Sequence, residues 1–504
     1  MKPIGWTGGR TVAVSSLCRC GILTTDPGVG RGALSDTMSE RTAWTGAEPE
    51  PASGPRVPAT MRPRVGVILA AGRSERLARV TGGGSKALVR VGGLALVGRA
   101  VRTLLGAGLR RVVVVVGYQA GPVAAVVDRL APGRVRAVFA ERWELGNGAS
   151  LAGAEPLVAG EGLFVLVTAD HLFGEGALDP LLLAGRPGVL VDHEPDPDAW
   201  AEGMRVRLHD EQVVAFSKEL GDPSIDCGAF LLPVAVFDAQ RRAEARGDAS
   251  LAGALTELAR DHPLAAVALP QGRWWQDVDT PEDLRRAGAR LRRSLPKEAD
   301  GPVSRYLNRP LSTRMSMALA HLPLHPDVVS LVAFLLGVAA AWLLGSGRGI
   351  AGGILVQLAS ILDGVDGEMA RLQVRAGPGG ALLDGVLDRF ADAAIVGGLA
   401  LWALHAGSEP RAVAVLAVAA TTGAMLSMAT KDRIAALGLP PVPERWISLL
   451  LGGRDGRLLI VAIGALLGRP WATLVVLIVT SALSLAARLV LVRSALRGAW
   501  PGPR

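Results

Sequence analysis

The chain has 504 residues with 54 Lys and Arg against 46 Asp and Glu, a net charge of +8, and it is 50% hydrophobic but only 20% charged. That length suits roughly two to four domains, and so apolar a composition excludes wholesale disorder and calls for membrane spans. Three cysteines, Cys18, Cys20 and Cys227, exclude a disulfide-framed secreted scaffold.

Residues 1–60 are rich in Gly, Pro, Ser and Thr, show no periodicity and lack the apolar core of a signal peptide. They read as a disordered or untranslated extension, with Met61, directly before the first strand, as an alternative start. Residues 62–290 alternate short apolar runs with helical stretches. RVGVILAAG, RRVVVVVGY and GLFVLVTAD are continuous β-branched runs ending in polar or glycine turns, the pattern of buried parallel strands. An α/β Rossmann-like sheet is expected, with ligands at the carboxyl ends of its strands. After the first run, the turn Ala70-Ala71-Gly72-Arg73 offers backbone N–H groups that can cradle a triphosphate. Arg73 and Arg76 add positive charge, and Lys86 follows; the chain holds only five Lys against 49 Arg, which singles each lysine out.

Residues 291–301 are charged, contain Pro and read as a linker. Residues 302–320 mix Arg with Leu, Met and Ala, as in an amphipathic helix at a membrane surface. The membrane domain is expected over 321–500, an all-α bundle with spans near 327–345, 349–366, 380–404, 411–430, 456–468 and 470–492. Residues 302–504 hold 18 Lys and Arg against 11 Asp and Glu. Inner loops and lipid headgroups account for that excess, so no nucleic-acid partner is expected. With the first domain cytoplasmic, ten basic residues fall on the inner side and three, Arg348, Arg411 and Arg469, on the outer. The protein then sits multi-pass in the inner (plasma) membrane.

Within the spans, Asp363 and Asp366 are three residues apart and Asp384 and Asp388 four apart, so each pair shares a helix face. A charge at the centre of a membrane helix costs roughly 2.5–3.5 kcal/mol on insertion scales, so four of them call for a function. Oxygen ligands that would otherwise repel one another suit Mg²⁺ or Mn²⁺. Gly364, Gly367 and Gly380 permit close approach to the backbone, and Arg371 supplies a charge for phosphate. A proton or ion path in a transporter is the plain alternative.

This stretch resembles the CDP-alcohol phosphotransferase family, whose pattern D-x2-D-G-x2-A-R-x8-G-x3-D-x3-D is matched at Asp363, Asp366, Gly367, Ala370, Arg371, Gly380, Asp384 and Asp388. The resemblance implies a two-metal site in which the first three aspartates are ligands bridging to a CDP diphosphate. Asp388, also at the metals, is the general base for the acceptor hydroxyl, and CMP leaves. Asp327 stands where that family usually has Asn. The resemblance further implies that Arg454 and Arg457 bind the phosphate of a phosphorylated acceptor, and that the membrane domain forms a homodimer; ordinary inner-side charge is the alternative for the two arginines.

The first domain resembles the sugar-phosphate nucleotidylyltransferases, with Ser74 in place of the usual second Gly of their loop. The resemblance makes Ala70, Ala71, Gly72 and Arg73 the phosphate loop and Arg76 and Lys86 catalytic. It gives Asn147, Gly148 and Ser150 to base and ribose, Lys218 to the sugar phosphate and Asp226 to the polyol. Asp170 becomes a metal ligand, with Asp277 or Asp279 as the second; Asp170 as a helix N-cap is the alternative. His171 reads as a turn residue and Cys227 as packed core.

The two halves together resemble a family of bifunctional enzymes that join inositol-1-phosphate cytidylyltransferase to di-myo-inositol-phosphate-phosphate synthase. This implies CTP and inositol 1-phosphate as substrates, CDP-inositol as the intermediate and a compatible-solute precursor as product. A phospholipid product from another polyol or amino-alcohol phosphate, or a non-catalytic regulator on a polyol transporter, are the other readings.

Overall fold

The computed structural model describes residues 62–499 apart from 74–75, 78–80, 298–299 and 440–441. The expectations for residues 1–60 and for a start at Met61 lie outside the described residues.

The continuous apolar runs become strands β1 (Val65–Ala70), β2 (Arg111–Val116), β3 (Val135–Phe139) and β4 (Leu163–Thr168). They pair in parallel in the order β3-β2-β1-β4, with Val65 opposite Arg111 and Gly66 opposite Val165. Every residue of β1 is buried, as a strand covered on both faces requires. Helix α1 (Leu96–Gly106) packs directly on it: a Cβ at Gly66 would stand 2.8 Å from the Leu104 side chain, so glycine sets this distance.

After β4 the sheet becomes mixed. A short strand β5 (His171–Phe173) leaves it; then β6 (Gly188–Asp192), β7 (Arg205–His209), β8 (Gln212–Ser217), β9 (Ile225–Pro233) and β10 (Leu264–Ala268) extend the order as β4-β9-β6-β10-β8-β7. Strand β9 runs antiparallel to both neighbours. Phe164 and Phe237 stack at 5.8 Å between ring centroids and, with Phe230, fill the core. Strand β11 (Trp275–Asp277) pairs antiparallel with β5 and sets Asp277 opposite His171. A short helix, α2 (Asn147–Leu151), lies between β3 and β4.

Helix α3 (Pro281–Arg293) starts with Pro at its first turn and a capping box: Thr280 accepts from the Asp283 amide and Asp283 accepts from the Thr280 amide. It runs on into the stretch expected as linker. Leu291 and Leu295 are buried with Ala320 and Leu372, so the start of that stretch is packed structure.

The expected surface helix is a π turn (Ser304–Asn308) continued by α4 (Arg309–Leu319). Its polarity is inverted: Ser312 and Ser316 are fully buried while Tyr306, Leu311 and Met315 are exposed, which suits a helix with its apolar side toward lipid. Then follow α5 (Pro326–Gly345), α6 (Gly349–Leu372), α7 (Pro378–His405), α8 (Pro410–Ala436), α9 (Arg454–Leu466) and α10 (Pro470–Ala499). Among the described residues, four helices are long and apolar enough to cross a membrane: α5, α6, α8 and α10. These four agree with four of the six expected spans; α7 and α9, at the other two positions, do not meet that measure of length and apolarity. Helix α7 is long but carries Asp384, Asp388, Arg389 and Asp392. Helix α9 has 13 residues, about 20 Å against a hydrocarbon core of about 30 Å. Small residues bring these helices together; a Cβ at Gly353 would stand 2.9 Å from the Ala462 carbonyl, joining α6 to α9. Both domains fall within one compact unit.

Candidate active sites

Strand order reverses between β1 and β4, which opens a crevice at their carboxyl ends. A cavity of about 350 Å³ lies there, lined by Ala70, Gly72, Arg73, Lys86 and Asn147. Lys86, on a short 3-10 turn, is the centre of charge. Its Nζ lies 2.9 Å from Asp170 and 3.8 Å from Asp277, and it is also ion-paired with Asp279. Arg76 reaches Asp279 at 3.2 Å. Five residues from four separate segments thus meet at one point. Burial opposes the Lys86 charge, but the three carboxylates hold its pKa above the ordinary lysine value. Asp170 is half-buried; desolvation opposes its charge, but Lys86 and His171 keep it well below the usual carboxylate range. Burial pushes Asp277 up to about 6, with His171 opposing.

His171 is a residue of the site rather than a plain turn residue. Its Nδ1 lies 2.9 Å from Asp170 and 2.7 Å from Thr168, and its ring stacks on Trp275 at 5.4 Å. Burial disfavours its charge, yet Asp277 and Asp170 raise its pKa to about 9. Gly228, in left-handed backbone at φ +71°, admits the ring: a Cβ there would stand 2.7 Å from it. The Trp274-Trp275 pair just before Asp277 is the sequence signal for this wall. Asp226 accepts from the Gly228 amide at 2.8 Å; burial lifts it to about 6, with Lys218 among the charges pulling it back. Lys218 itself is exposed.

Three of the residues expected at the nucleotide are packed into the fold at their side chain or Cα. Ala71 is packed in the core and its carbonyl accepts from the Tyr118 amide. Ser150 is 2% exposed and its hydroxyl donates to the Gly146 carbonyl. Gly148 is buried against the backbone of Ser250, where a Cβ would stand 2.5 Å from that carbonyl. Of the 147–150 segment, Asn147 lines the cavity.

In the membrane domain, carboxylate oxygens of Asp363, Asp384 and Asp388 lie within 4.8 Å of one another. Asp366 adjoins this trio, with its side chain in hydrogen-bond contact with Asp384, and accepts from the Ser330 hydroxyl of α5 at 2.5 Å. Arg454 enters the cluster, 2.6 Å from Asp363, 2.9 Å from Asp388 and 3.3 Å from Asp392. Arg457 is buried and held by Asp392 at 2.8 Å and by the Gly452 carbonyl. The sequence reading missed Asp392, although it continues the four-residue spacing of Asp384 and Asp388. Arg371 donates to the Leu295 carbonyl at 2.7 Å, at the domain junction and not in the cluster. Gly364 faces α4, where a Cβ would meet Arg309 at 3.0 Å; Gly367 faces Arg371, and Ala370 is half-buried. These positions serve packing in the described structure, and Gly380 is open apart from Asp327.

Glu368 was also missed. It is fully buried and accepts from Arg309 at 2.6 Å, Ser312 at 2.7 Å and Ser316 at 2.6 Å, while Arg309 also binds Asp300. This network clamps α4 to α6. Glu368→Ala leaves Arg309 buried with one partner fewer, and an expected loss of about 3 kcal/mol should lower the midpoint of thermal unfolding in detergent; an unchanged midpoint would show the clamp to be dispensable.

Both clusters fit a hard divalent cation. Asp170, His171 and Asp277 offer donor atoms within 4.8 Å of one another, and the Asp277 Oδ1 is buried without a hydrogen-bond partner. Carboxylate oxygens predominate in each, the donor chemistry of Mg²⁺ or Mn²⁺.

Residues 66–222 match the MobA-like NTP transferase domain, and residues 323–503 match the CDP-alcohol phosphatidyltransferase family. A bifunctional IPC transferase and DIPP synthase of Rubrobacter xylanophilus is 39% identical over 415 residues, 81% of this chain and 91% of that protein. One of the same name from Thermococcus kodakarensis is 34% identical over 375 residues, 74% of this chain and 83% of that one. Among solved structures, the inositol-1-phosphate CTP transferase from T. maritima is 24% identical, covers 44% of this chain and 91% of its own, and has a TM-score of 0.41. The chain belongs to the family of bifunctional IPC transferases and DIPP synthases.

Proposed function

We propose that this membrane protein catalyses two consecutive transfers. CTP and inositol 1-phosphate give CDP-inositol and pyrophosphate; CDP-inositol and a second inositol 1-phosphate then give di-inositol phosphate phosphate and CMP. The observation that carries this reading is the presence, in one chain, of a Lys–carboxylate crevice and a membrane carboxylate trio joined by Arg454.

In the first reaction the inositol phosphate oxygen bonds to the α-phosphorus and the bond to pyrophosphate breaks. Lys86 and Arg76 stabilise the charge that develops on the triphosphate. Asn147 faces the base, and Lys218 and Asp226 take the polyol phosphate. In the second, Asp388 accepts the proton of the acceptor hydroxyl, whose oxygen bonds to the β-phosphorus as the bond to CMP breaks. Arg454 and Arg457 hold the acceptor phosphate, with Asp392 fixing both. Asp170 with Asp277 or Asp279 would hold a divalent cation in the first site, and Asp363, Asp366, Asp384 and Asp388 would hold cations in the second. A bound cation there neutralises diphosphate charge. In this reading the first domain is cytoplasmic in the plasma membrane, as the basic inner loops favour, and the membrane domain pairs with a second copy.

Membranes containing the protein, incubated with CTP, Mg²⁺ and inositol 1-phosphate and followed by phosphorus NMR, test this. The expected course is a transient diphosphate followed by a water-soluble phosphodiester. A diphosphate that accumulates until a lipid acceptor is added would move the second reaction to lipid synthesis, and no turnover of CTP would exclude this polyol.

A further inference from the structure

The carboxyl end of α6, the helix that carries Asp363 and Asp366, is held by the first domain. Helix α1 places Arg99 at the junction, 5% exposed. One guanidinium nitrogen donates to two carbonyls at 2.8 Å each: Val91 in its own domain and Leu372, the last residue of α6. Arg102, one turn on, donates to the Gln373 carbonyl at 2.6 Å. The last carbonyls of a helix lack partners within it, and a cation is favoured there by the helix dipole. Beside Arg99, a two-residue turn at Gly92 and Gly93, both in left-handed backbone at φ +56° and +78°, joins the short paired segments Arg90–Val91 and Leu94–Ala95. A Cβ on Gly92 would stand 3.0 Å from Leu372, and one on Gly93 would overlap the Ala320 carbonyl that follows α4. Leu291, Leu295, Ala320 and Leu372 close the junction with apolar contact.

We infer that Arg99 is a positioning residue for the phosphotransfer site: the first domain supplies the C-terminal cap of α6 and thereby fixes where Asp363 and Asp366 stand. The inference rests on the two-reaction reading only for its activity readout. Arg99 is 5% exposed and its guanidinium is committed to main-chain carbonyls of both domains, contacts that an apolar side chain would not make. Asp366 of α6 also accepts a hydrogen bond from Ser330 on a different helix, a contact that a shift of α6 would alter.

The test uses the full chain in detergent with CDP-inositol supplied, so that the first reaction is bypassed. Arg99→Met keeps volume and removes the cap. Gly93→Ala wedges the same junction from an independent position. Gly108→Ala, at φ +98° with open space around it, reports the cost of a left-handed alanine alone. Both junction variants should lower kcat for CMP release by about tenfold or more, as a displacement of order 1 Å in a site does. Pyrophosphate release from CTP should stay within about twofold in both, as for a substitution outside the first site. Amide exchange in residues 363–373 should accelerate in both, and Arg99→Lys should recover part of each loss. If CMP release and exchange are unchanged in Gly93→Ala, or fall no further than in Gly108→Ala, the inference is overturned even if Arg99→Met misfolds. If the wild type releases no CMP from CDP-inositol, the two-reaction reading fails, and the exchange measurement still decides whether the cap exists.

Discussion

Asp388→Asn is expected to lower CMP release from CDP-inositol by at least about 100-fold, the lower range for loss of a positioned general base, while pyrophosphate release from CTP is unchanged. The substitution keeps the shape of the side chain. An amide oxygen can still accept from Arg454, which stands 2.9 Å from the carboxylate, so the ion-pair framework of α7 and α9 should survive. What the amide cannot do is take a proton from the acceptor hydroxyl. The measurement is paired: CMP by chromatography and pyrophosphate by coupled assay on the same membranes. A parallel fall in both products, with unfolding behaviour unchanged, would mean that one site serves both reactions. Retention of CMP release would move the base elsewhere, with Asp363 and Asp384 the nearest carboxylates.

The parts of this fold that were legible in the sequence are those where one physical demand dominates. A strand buried on both faces must be continuously apolar, so β1, β2 and β4 could be read directly. The Thr280-Pro281 start of α3 could be read because capping uses few residue types. The membrane aspartates stood out because charge in lipid is expensive. Burial direction was much less legible. Ser150 and Ala71 lie in segments that border the nucleotide cleft, yet their side chains face the core. Arg371 fits a motif by spacing, but its guanidinium turns to the Leu295 carbonyl. Spacing places a residue on a helix face; it does not say which neighbour that face meets.

The same limit explains the residues that were missed. Glu368 lies between motif positions, and its three donors come from α4, some fifty residues earlier in the chain. His171 becomes part of the first site only when β11 returns to pair with β5. The two expected spans that fall short of the apolar measure do so for a related reason. A helix that lines a polar site inside a bundle need not be uniformly apolar, and α7 places four charged residues between positions 384 and 392.

Lys86→Ala should have the mirror-image effect, lowering pyrophosphate release by roughly 100- to 1000-fold, as removal of one preorganised charge at a reacting oxyanion does. CMP release from supplied CDP-inositol should be unchanged, and adding CDP-inositol should restore the di-inositol product. Failure of that rescue would overturn the order of the two reactions; undiminished pyrophosphate release would remove Lys86 from the chemistry. The size of the effect follows from the surroundings. Asp170, Asp277 and Asp279 all lean on one ammonium. Without it they repel one another at the point where, in the proposed reaction, an anionic triphosphate binds. Keeping the charge but changing its shape is not enough, so Lys86→Arg should recover little. A guanidinium is planar and wide, whereas three carboxylates converging from two segments need a compact point charge. In a chain with 49 Arg and five Lys, a lysine at this convergence is explained by that geometry.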